Sequence, residues 1–384
     1  MTEFESDRIS MLPDAAGSIG ILGAGQLGRM LAAAAAPLGL NVFTVDPKDA
    51  PSAARHAEHF SAAFDAPEAL RQLSERVDVV TYEFENIPVG ALEQLLDVVD
   101  VYPGVRALEV SGDRGVEKEF FESLGVDVAP WRSVDSRRDL DAAADVLGFP
   151  LILKTRQMGY DGKGQAWCDG PEDLDDAWDE LGEWSLVAEG FVDFERELSI
   201  IGARTPDGQT AMFPLAENLH KDGILIESEA PADASAETVE RAHTICRKAL
   251  DGLDYVGVLS IELFQDPDGT LRVNEMAPRV HNSGHWTIEG SETSQFEQHI
   301  RAVAGFSLGD TASVAPTHML NTIGGLPDRR AVLDVPGAHL HDYQKEARPG
   351  RKIGHITVRA GDRDALNERV GRVRPLVEQT RDLG

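Results

Sequence analysis

The chain has 384 residues, of which 42% are hydrophobic, and 66 acidic residues against 36 basic ones give it a formal net charge of −30. This length predicts two or three domains, and the acidic balance argues against a nucleic-acid partner, because phosphate binding needs a cationic surface. No apolar stretch is long enough to span a bilayer, so a membrane partner is not expected.

The composition also bears on location. The 2 cysteines, Cys168 and Cys246, are far apart and form no CxxC pair, which favours a reducing cytoplasm over a disulfide scaffold. Residues 1–17 lack the order of a signal peptide and are predicted to be a flexible leader. Only 8 of the basic residues are lysines. The acidic surface predicts a halophilic protein, although an ordinary acidic protein is the alternative.

The first hundred residues alternate strands and helices, which predicts a parallel, Rossmann-like sheet over residues 18–112. The predicted elements are strands at Ser18–Gly23, Asn41–Val45 and Val77–Tyr82 and a helix at Gln26–Leu38.

The remaining elements predict a mixed α+β arrangement in place of a second parallel sheet. Helices are expected at Asp113–Leu124, Ser136–Leu147, Ala236–Leu253 and Arg363–Val377, with a hairpin formed by Val256–Phe264 and Thr270–Ala277. We place a second domain at 113–312, with a lid at about 148–215, and a small β-rich C-terminal domain at 313–384.

The segment Gly23-Ala24-Gly25-Gln26-Leu27-Gly28 has the GxGxxG spacing, follows a strand and precedes a helix. Asp46 follows later, as in dinucleotide-binding folds. The motif alone leaves three interpretations open: a nicotinamide cofactor in a dehydrogenase, another phosphate ligand, or a tightly packed turn without any ligand.

Lys154, on an apolar strand, is followed by the glycine-rich segment Gly159–Gly164. Such a loop can fold over a triphosphate while lysines neutralise its charge. Further on, Glu262 and Asn274-Glu275 lie on the two strands of the predicted hairpin, where two carboxylates can hold Mg²⁺ against phosphate oxygens. Taken singly, each of these groups is better explained as an edge charge or a solvated turn than as a ligand site.

The order of these groups resembles the ATP-grasp superfamily. Five segments narrow the resemblance to the family of bicarbonate-using 5-(carboxyamino)imidazole ribonucleotide synthetases: TYEFENIP from Thr81, KTRQMGYDGKGQ from Lys154, NEMAPRVHNSGHWT from Asn274, ETSQFEQH from Glu292 and KEARPGRKIGH from Lys345. The resemblance runs from about residue 19 to 358. It implies an ATP-grasp fold with a Rossmann-like preATP-grasp domain, ATP, Mg²⁺ and bicarbonate as reactants, and a homodimer.

The resemblance also implies roles for individual residues. Arg114, Lys154 and Lys163 would meet the ATP phosphates, Glu189–Val192 the adenine, and Glu197 the ribose, while Glu262 and Glu275 would bind the metal. The full ATP-binding set is Arg114, Lys154, Gly159, Tyr160, Asp161, Gly162, Lys163, Gly164, Gln165, Glu189, Gly190, Phe191, Val192, Glu197, His220, Asn274 and Glu275.

For the second substrate, the resemblance implies that Arg279 binds bicarbonate and that Asp161 and Lys345 flank the reacting amine. Arg351 and Lys352 would clamp the 5′-phosphate of the ribonucleotide. The full substrate-binding set is Gln26, Leu27, Glu83, Asn282, Lys345, Arg351 and Lys352.

The chain departs from the family pattern at Met158, where a glycine is usual, and at Gly112, where a glutamine is usual. A formate-using formyltransferase of the same superfamily and a non-catalytic nucleotide-binding module are the alternatives. HNSGH and RPGRKIGH argue against the first, and the retained carboxylates and lid lysine against the second. His281 and His285 have zinc-like spacing, but no third ligand is evident.

Overall fold

The computed structural model describes residues 17–159 and 164–381. The predicted leader, apart from Gly17, and the predicted site residues Tyr160, Asp161, Gly162 and Lys163 therefore lie outside the described residues.

Within the described residues, the strands form three sheets of 5, 9 and 4 strands. The strands are β1 Ser18–Leu22, β2 Asn41–Asp46, β3 Glu58–Ser61, β4 Val79–Tyr82, β5 Asp100–Val101, β6 Trp131–Val134, β7 Leu151–Thr155, β8 Gln165–Cys168, β9 Leu186–Gly190, β10 Arg196–Arg204, β11 Thr210–Met212, β12 Ala216–Lys221, β13 Ile224–Ala230, β14 Gly257–Gln265, β15 Leu271–Ala277, β16 Thr317–Ile323, β17 Ala338–Asp342 and β18 Lys352–Arg359.

The helices pack on both faces of the first sheet and around the others. They are α1 Gln26–Ala35, α2 Pro67–Ser74, α3 Val89–Glu93, α4 Val105–Ser111, α5 Arg114–Ser123, α6 Arg137–Leu147, α7 Leu174–Leu181, α8 Ala236–Gly252, α9 Thr287–Gly290, α10 Gln295–Val303, α11 Arg329–Leu333 and α12 Arg363–Arg381. None of these helices, taken over the part of the chain that is described, is long and apolar enough to cross a membrane.

The N-terminal sheet is parallel and has the order β3-β2-β1-β4-β5. The strand order reverses beside β1, so the carboxyl ends of β1 and β4 form the topological switch point at which ligands bind in such sheets. Both the glycine-rich turn and Glu83 directly follow these ends.

The central sheet has the order β15-β14-β10-β12-β13-β16-β18-β17, with β11 on β10. Its C-terminal strands join through the antiparallel pairing of β13 with β16. The predicted β-rich C-terminal segment therefore continues the central sheet, which places Lys352 of β18 on the same sheet as Glu262 of β14.

The lid sheet is antiparallel, with the order β6-β9-β7-β8. Lys154 on β7 pairs with Gln165 on β8 and with Val187 on β9, so Lys154 lies on a strand that is paired on both sides. The predicted combination of one parallel sheet with mixed α+β structure is confirmed.

Helix α5 carries two cationic side chains of the site, and its start is set by its sequence. Asp113 accepts hydrogen bonds at Oδ1 from the N–H groups of Gly115 (2.9 Å) and Val116 (3.2 Å), which satisfies two donors that the helix leaves unpaired. Phe121 on the same helix is fully buried in the core shared with α8 and β14.

We predict that Phe121→Ala lowers the free energy of unfolding by about 3–5 kcal/mol, because it removes a large ring from a closed core. Val98→Ala, at a side chain that is 66% exposed, serves as the control and should change stability little. Denaturant titration of both variants measures the difference. Equal effects would contradict the packing described for α5.

Candidate active site

The glycine-rich turn after β1 is filled by a carboxylate of the protein itself. Glu83, which follows β4, accepts hydrogen bonds from the backbone N–H groups of Gly25 and Gly28. A Cβ atom at Gly23 or Gly25 would lie 2.5 or 2.8 Å from the Glu83 side chain. The start of α1 thus holds a carboxyl group of the protein itself, whose pKa is raised by burial, and this group occupies the phosphate site that a nicotinamide cofactor would need.

The other residues of this motif are structural as well. The Asp46 carboxylate accepts N–H donors from Ala24 at 3.1 Å and from Lys48 at 2.9 Å, so it fixes the turn. Leu27 is 9% exposed and packs in the core, whereas Gln26, at the first position of α1, is only partly buried. Of the two predicted contacts from this turn, only Gln26 offers a side chain toward solvent.

Glu189 is held between two lysines. Its Oε2 lies 2.7 Å from Lys154 Nζ and its Oε1 lies 3.0 Å from Lys118 Nζ. Burial raises the pKa of Glu189, but the attraction of Lys154 and Lys118 outweighs burial and brings the pKa to about 2. The carboxylate therefore stays charged and orients Lys154. Both of its oxygens are paired with lysines, so they do not face an adenine base.

The first two backbone amides after Glu189 donate hydrogen bonds within the protein. Gly190 N–H donates to Pro130 O at 2.8 Å and Phe191 N–H donates to Pro150 O at 3.1 Å, so neither amide faces outward. Phe191 and Val192 line a groove of about 390 Å³. An exposed aromatic ring beside a groove of this size suits the apolar face of a base.

The carboxylates predicted to hold a metal face each other across the hairpin of β14 and β15. Glu262 is paired directly with Glu275, and a bulge at Asn274 shifts the register beside them. Burial and the charge of Glu275 raise the pKa of Glu262 to about 7. Arg114 Nη1 donates to Glu275 Oε2 at 3.1 Å. Two carboxylates at this spacing repel each other unless a cation joins them.

Glu197 and His220 form a second charged pair next to Glu262. His220 Nδ1 lies 2.6 Å from Glu197 Oε2, and its Nε2 lies 3.9 Å from Glu262 Oε1. Burial lowers the pKa of His220, but the hydrogen bond that His220 donates to Glu197 and the charge of Glu262 outweigh burial and leave the pKa raised. These three side chains and Asn274 line one pocket.

Arg279 follows Glu275 by four residues and is paired with Glu85. Its Nε donates to the Glu85 carboxylate, and its Nη1 donates to Val280 O at 3.1 Å. The side chain is 16% exposed. The guanidinium is therefore fixed at the junction of the first and second domains, close enough to Glu275 to feel its charge.

The C-terminal lysines reach the same place. Lys345 Nζ lies 5.7 Å from the centre of the Tyr343 ring. Gln344, immediately before it, has a φ of 57°, which a residue with a side chain rarely adopts, and Lys345 lies near enough to Glu83 to be affected by its charge. Arg351 Nη1 donates to Glu346 O at 3.2 Å, and Lys352 lies near enough to Glu262 and His281 to affect their pKa values.

The side chains of the HNSGH segment diverge. His281 Nε2 lies 3.8 Å from Glu262 Oε1, whereas the His285 ring centre lies 4.9 Å from that of His355 in the core, with the two rings tilted. Asn282 exchanges amide hydrogen bonds of 3.0 and 2.7 Å with Asn321. Across residues 17–159 and 164–381, no three His, Cys, Asp or Glu side chains converge as a metal site. The two histidines thus serve different parts of the fold.

Comparison with known proteins agrees with this arrangement. Sequence profiles of the ribonucleotide synthetase preATP-grasp domain, the ATP-grasp domain and the phosphoribosylaminoimidazole carboxylase C-terminal domain match residues 17–112, 119–296 and 317–369. The N5-carboxyaminoimidazole ribonucleotide synthase of Pseudomonas aeruginosa is 47% identical over 94% of this chain and 99% of its own. The chain belongs to the N5-carboxyaminoimidazole ribonucleotide synthase family.

Solved structures of this synthase family are similar over nearly the full length. The synthetase from Thermus thermophilus aligns with a TM-score of 0.89 and 48% identity, covering 93% of this chain and 98% of its own. The synthase from Aspergillus clavatus, solved with ADP and 5-aminoimidazole ribonucleotide, aligns with a TM-score of 0.89 and 33% identity, covering 95% of this chain and 99% of its own. The predicted family and ATP-grasp fold are confirmed, and the chain is an ATP-dependent ligase.

Two charged residues of this synthase site were not predicted from the sequence. Lys118 lies one helical turn after Arg114 on α5, and that spacing was a usable signal. Glu85 lies inside the TYEFENIP segment, but the sequence does not indicate that its partner is Arg279, 194 residues away.

We predict that Lys118→Met lowers the free energy of unfolding by about 3–5 kcal/mol, because it takes one partner from a buried ion pair. The double variant Lys118→Met/Glu189→Gln should lose less than the sum of the single variants. Arg71→Met, at an exposed pair with Glu68, is the control and should leave stability nearly unchanged. Additive losses in the double variant would rule out the coupling.

Proposed function

We propose that this ligase carboxylates 5-aminoimidazole ribonucleotide with ATP and bicarbonate in de novo purine biosynthesis, forming 5-(carboxyamino)imidazole ribonucleotide, ADP and phosphate. The proposal is carried by the meeting of side chains from the three matched domains at one site: Lys352 of β18 is near enough to Glu262 of β14 to affect its pKa, and Lys345 is near enough to Glu83 to be affected by its charge. The Aspergillus clavatus relative, which holds ADP and the ribonucleotide, supports the same ligands here.

The reaction has two stages. A bicarbonate oxygen attacks the γ-phosphorus of ATP, the bond to ADP breaks, and carboxyphosphate forms. Carboxyphosphate then splits into carbon dioxide and phosphate, and the exocyclic amine attacks carbon dioxide and loses a proton. No covalent bond to the protein is needed, so the side chains act by positioning and charge neutralisation.

For ATP, we assign Arg114, Lys154 and Lys163 to the phosphates, and the lid residues 159–165 to cover them. Phe191 and Val192 would meet the adenine, with Glu189 and Gly190 holding that segment. Glu197 would bind the ribose hydroxyls, oriented by its hydrogen bond to His220.

For Mg²⁺, we assign Glu262 and Glu275, with Asn274 assisting. The fit rests on their direct pairing across the hairpin and on the raised pKa of Glu262, since both indicate a missing positive charge. Carboxylate oxygens suit this hard cation, which typically takes one or two carboxylates and completes its shell with water and phosphate oxygens. When bound, the metal neutralises charge on the transferred phosphoryl group.

For the other reactants, we assign Arg279 to bicarbonate, because its planar fork matches a carbonate edge. Asp161 would accept the amine proton, and Lys345 would stabilise the carboxylate charge that develops. Arg351 and Lys352 would bind the 5′-phosphate. Gln26, Leu27, Glu83 and Asn282 would complete the ribonucleotide site, although in this structure both Glu83 oxygens bond to the turn.

We further propose that the protein works in the cytoplasm as a homodimer, and that its net charge of −30 is an adaptation to high salt. Screening by salt weakens repulsion among surface carboxylates. Activity and stability that rise with molar potassium chloride would support the salt adaptation, and a monotonic fall of both would reject it.

The overall proposal is tested by measuring ADP release and carboxylated product with Mg²⁺-ATP, bicarbonate and the ribonucleotide, omitting each in turn. Product is expected only in the complete mixture. Full turnover with formate replacing bicarbonate, or no turnover by folded protein at any salt concentration, would contradict it.

We predict an alkaline limb in the pH profile near pH 8. Burial and the charge of Arg351 lower the pKa of Lys345 to about 8, so its cation is lost as pH rises through that value. The kcat/KM for the ribonucleotide should therefore fall above about pH 8, and Lys345→Arg should move the limb upward because arginine stays charged. An identical limb in Lys345→Arg would assign it to another group.

We predict that Glu275→Gln lowers kcat by at least about 100-fold while the protein stays folded, because it removes one metal carboxylate. Glu217→Gln is the matched control, since Glu217 pairs with Arg196 at 3.1 Å and the Arg114–Glu275 pair has the same separation. Turnover and far-UV circular dichroism of both variants are the measurements. Equal turnover in the two variants would refute the metal assignment.

A further inference from the structure

The Arg279 guanidinium is held in place by two hydrogen bonds. Its Nε donates to the Glu85 carboxylate, and its Nη1 donates to Val280 O at 3.1 Å. Both side chains are largely buried, 16% exposed for Arg279 and 26% for Glu85. Because the fork is planar, fixing these two nitrogens fixes the direction of the whole group.

Glu85 is itself on an anchored segment. Two residues earlier, Glu83 is seated on the N–H groups of Gly25 and Gly28 in the first domain. Two residues before that, Thr81 Oγ1 lies 2.8 Å from His299 Nε2 of α10. The segment that leaves β4 is therefore tied to both domains, and the Glu85 carboxylate cannot simply follow a moving guanidinium.

Glu85 also competes with a metal carboxylate for Arg279. Burial lowers the pKa of Arg279, but the charges of Glu85 and, to a smaller extent, Glu275 and Glu83 more than compensate. Without Glu85, the strongest remaining attraction on the guanidinium comes from Glu275. We therefore expect Arg279 to shift toward Glu275 when Glu85 is removed.

We propose that Glu85 is a positioning residue for bicarbonate: its carboxylate holds Arg279 off Glu275 and aims the guanidinium at the carbonate. This inference rests on the proposed function, because it needs Arg279 to bind bicarbonate. It links the TYEFENIP segment of the first domain to chemistry in the second.

The test compares the KM values for bicarbonate, ATP and the ribonucleotide in Arg279→Lys, Glu85→Gln, Glu85→Ala and the parent protein. Glu85→Ala should raise the KM for bicarbonate by about tenfold or more and leave the KM for ATP within about threefold. Glu85→Gln keeps an oxygen that accepts from Nε, so its effect should be smaller, and it provides a second variant if Glu85→Ala is unstable.

Glu227→Gln is the control for the general cost of breaking a partly buried ion pair. Glu227 accepts from Arg374 Nε at 2.9 Å, also between distant segments, but lies on β13 outside the assigned site. It should change the melting temperature without changing the KM for bicarbonate. The positioning role would be overturned if the Glu85 variants changed all three KM values and Glu227→Gln changed them in the same way.

Arg279→Lys distinguishes a failure of the positioning role of Glu85 from a failure of the bicarbonate assignment of Arg279. If it raises the KM for bicarbonate and Glu85→Ala does not, the positioning role of Glu85 is overturned and the proposed function stands. If Arg279→Lys leaves the KM for bicarbonate unchanged, the bicarbonate assignment itself fails, and the inference fails with it.

Discussion

A cation that is to bind phosphate inside a protein must be kept charged there before the phosphate arrives, and the site depends on this constraint. Burial lowers the pKa of Lys154, and Glu189 opposes that effect. Glu189 in turn stays ionised because Lys118 shares it. A buried carboxylate between two lysines holds the phosphate lysine in place at a local charge of about plus one. A triphosphate then binds to a lysine that is already charged and already oriented.

In the first domain, a buried carboxyl group is held by backbone N–H donors. The glycine-rich turn can bind any anion, and here the group that it binds is Glu83. The glycines are required by the close approach of that side chain, whatever substrate lies outside it. The segment that contains Glu83 also contains Thr81 and Glu85, which contact His299 and Arg279 of the second domain. The turn therefore joins domains as well as shaping a binding surface.

The sequence predicted the elements and the charged motifs well, because strand and helix periods and cap residues such as Asp113 are local signals. It could not predict that β16 continues the central sheet, since strand pairing is non-local. The bulge at Asn274 that shifts the register of β15 was equally hidden. Lys118 was missed as a site residue because its role depends on Glu189, which is distant in sequence.

The proposed function requires the assembled charges to promote phosphorylation of bicarbonate beside the ribonucleotide. The most direct measurement follows ¹⁸O from labelled bicarbonate into inorganic phosphate, by mass spectrometry of a single turnover with ATP and the ribonucleotide. Because a bicarbonate oxygen attacks the γ-phosphorus, the account predicts one ¹⁸O atom in each phosphate released. Unlabelled phosphate formed together with carboxylated product would mean that carbon dioxide is captured without carboxyphosphate, and would contradict the account.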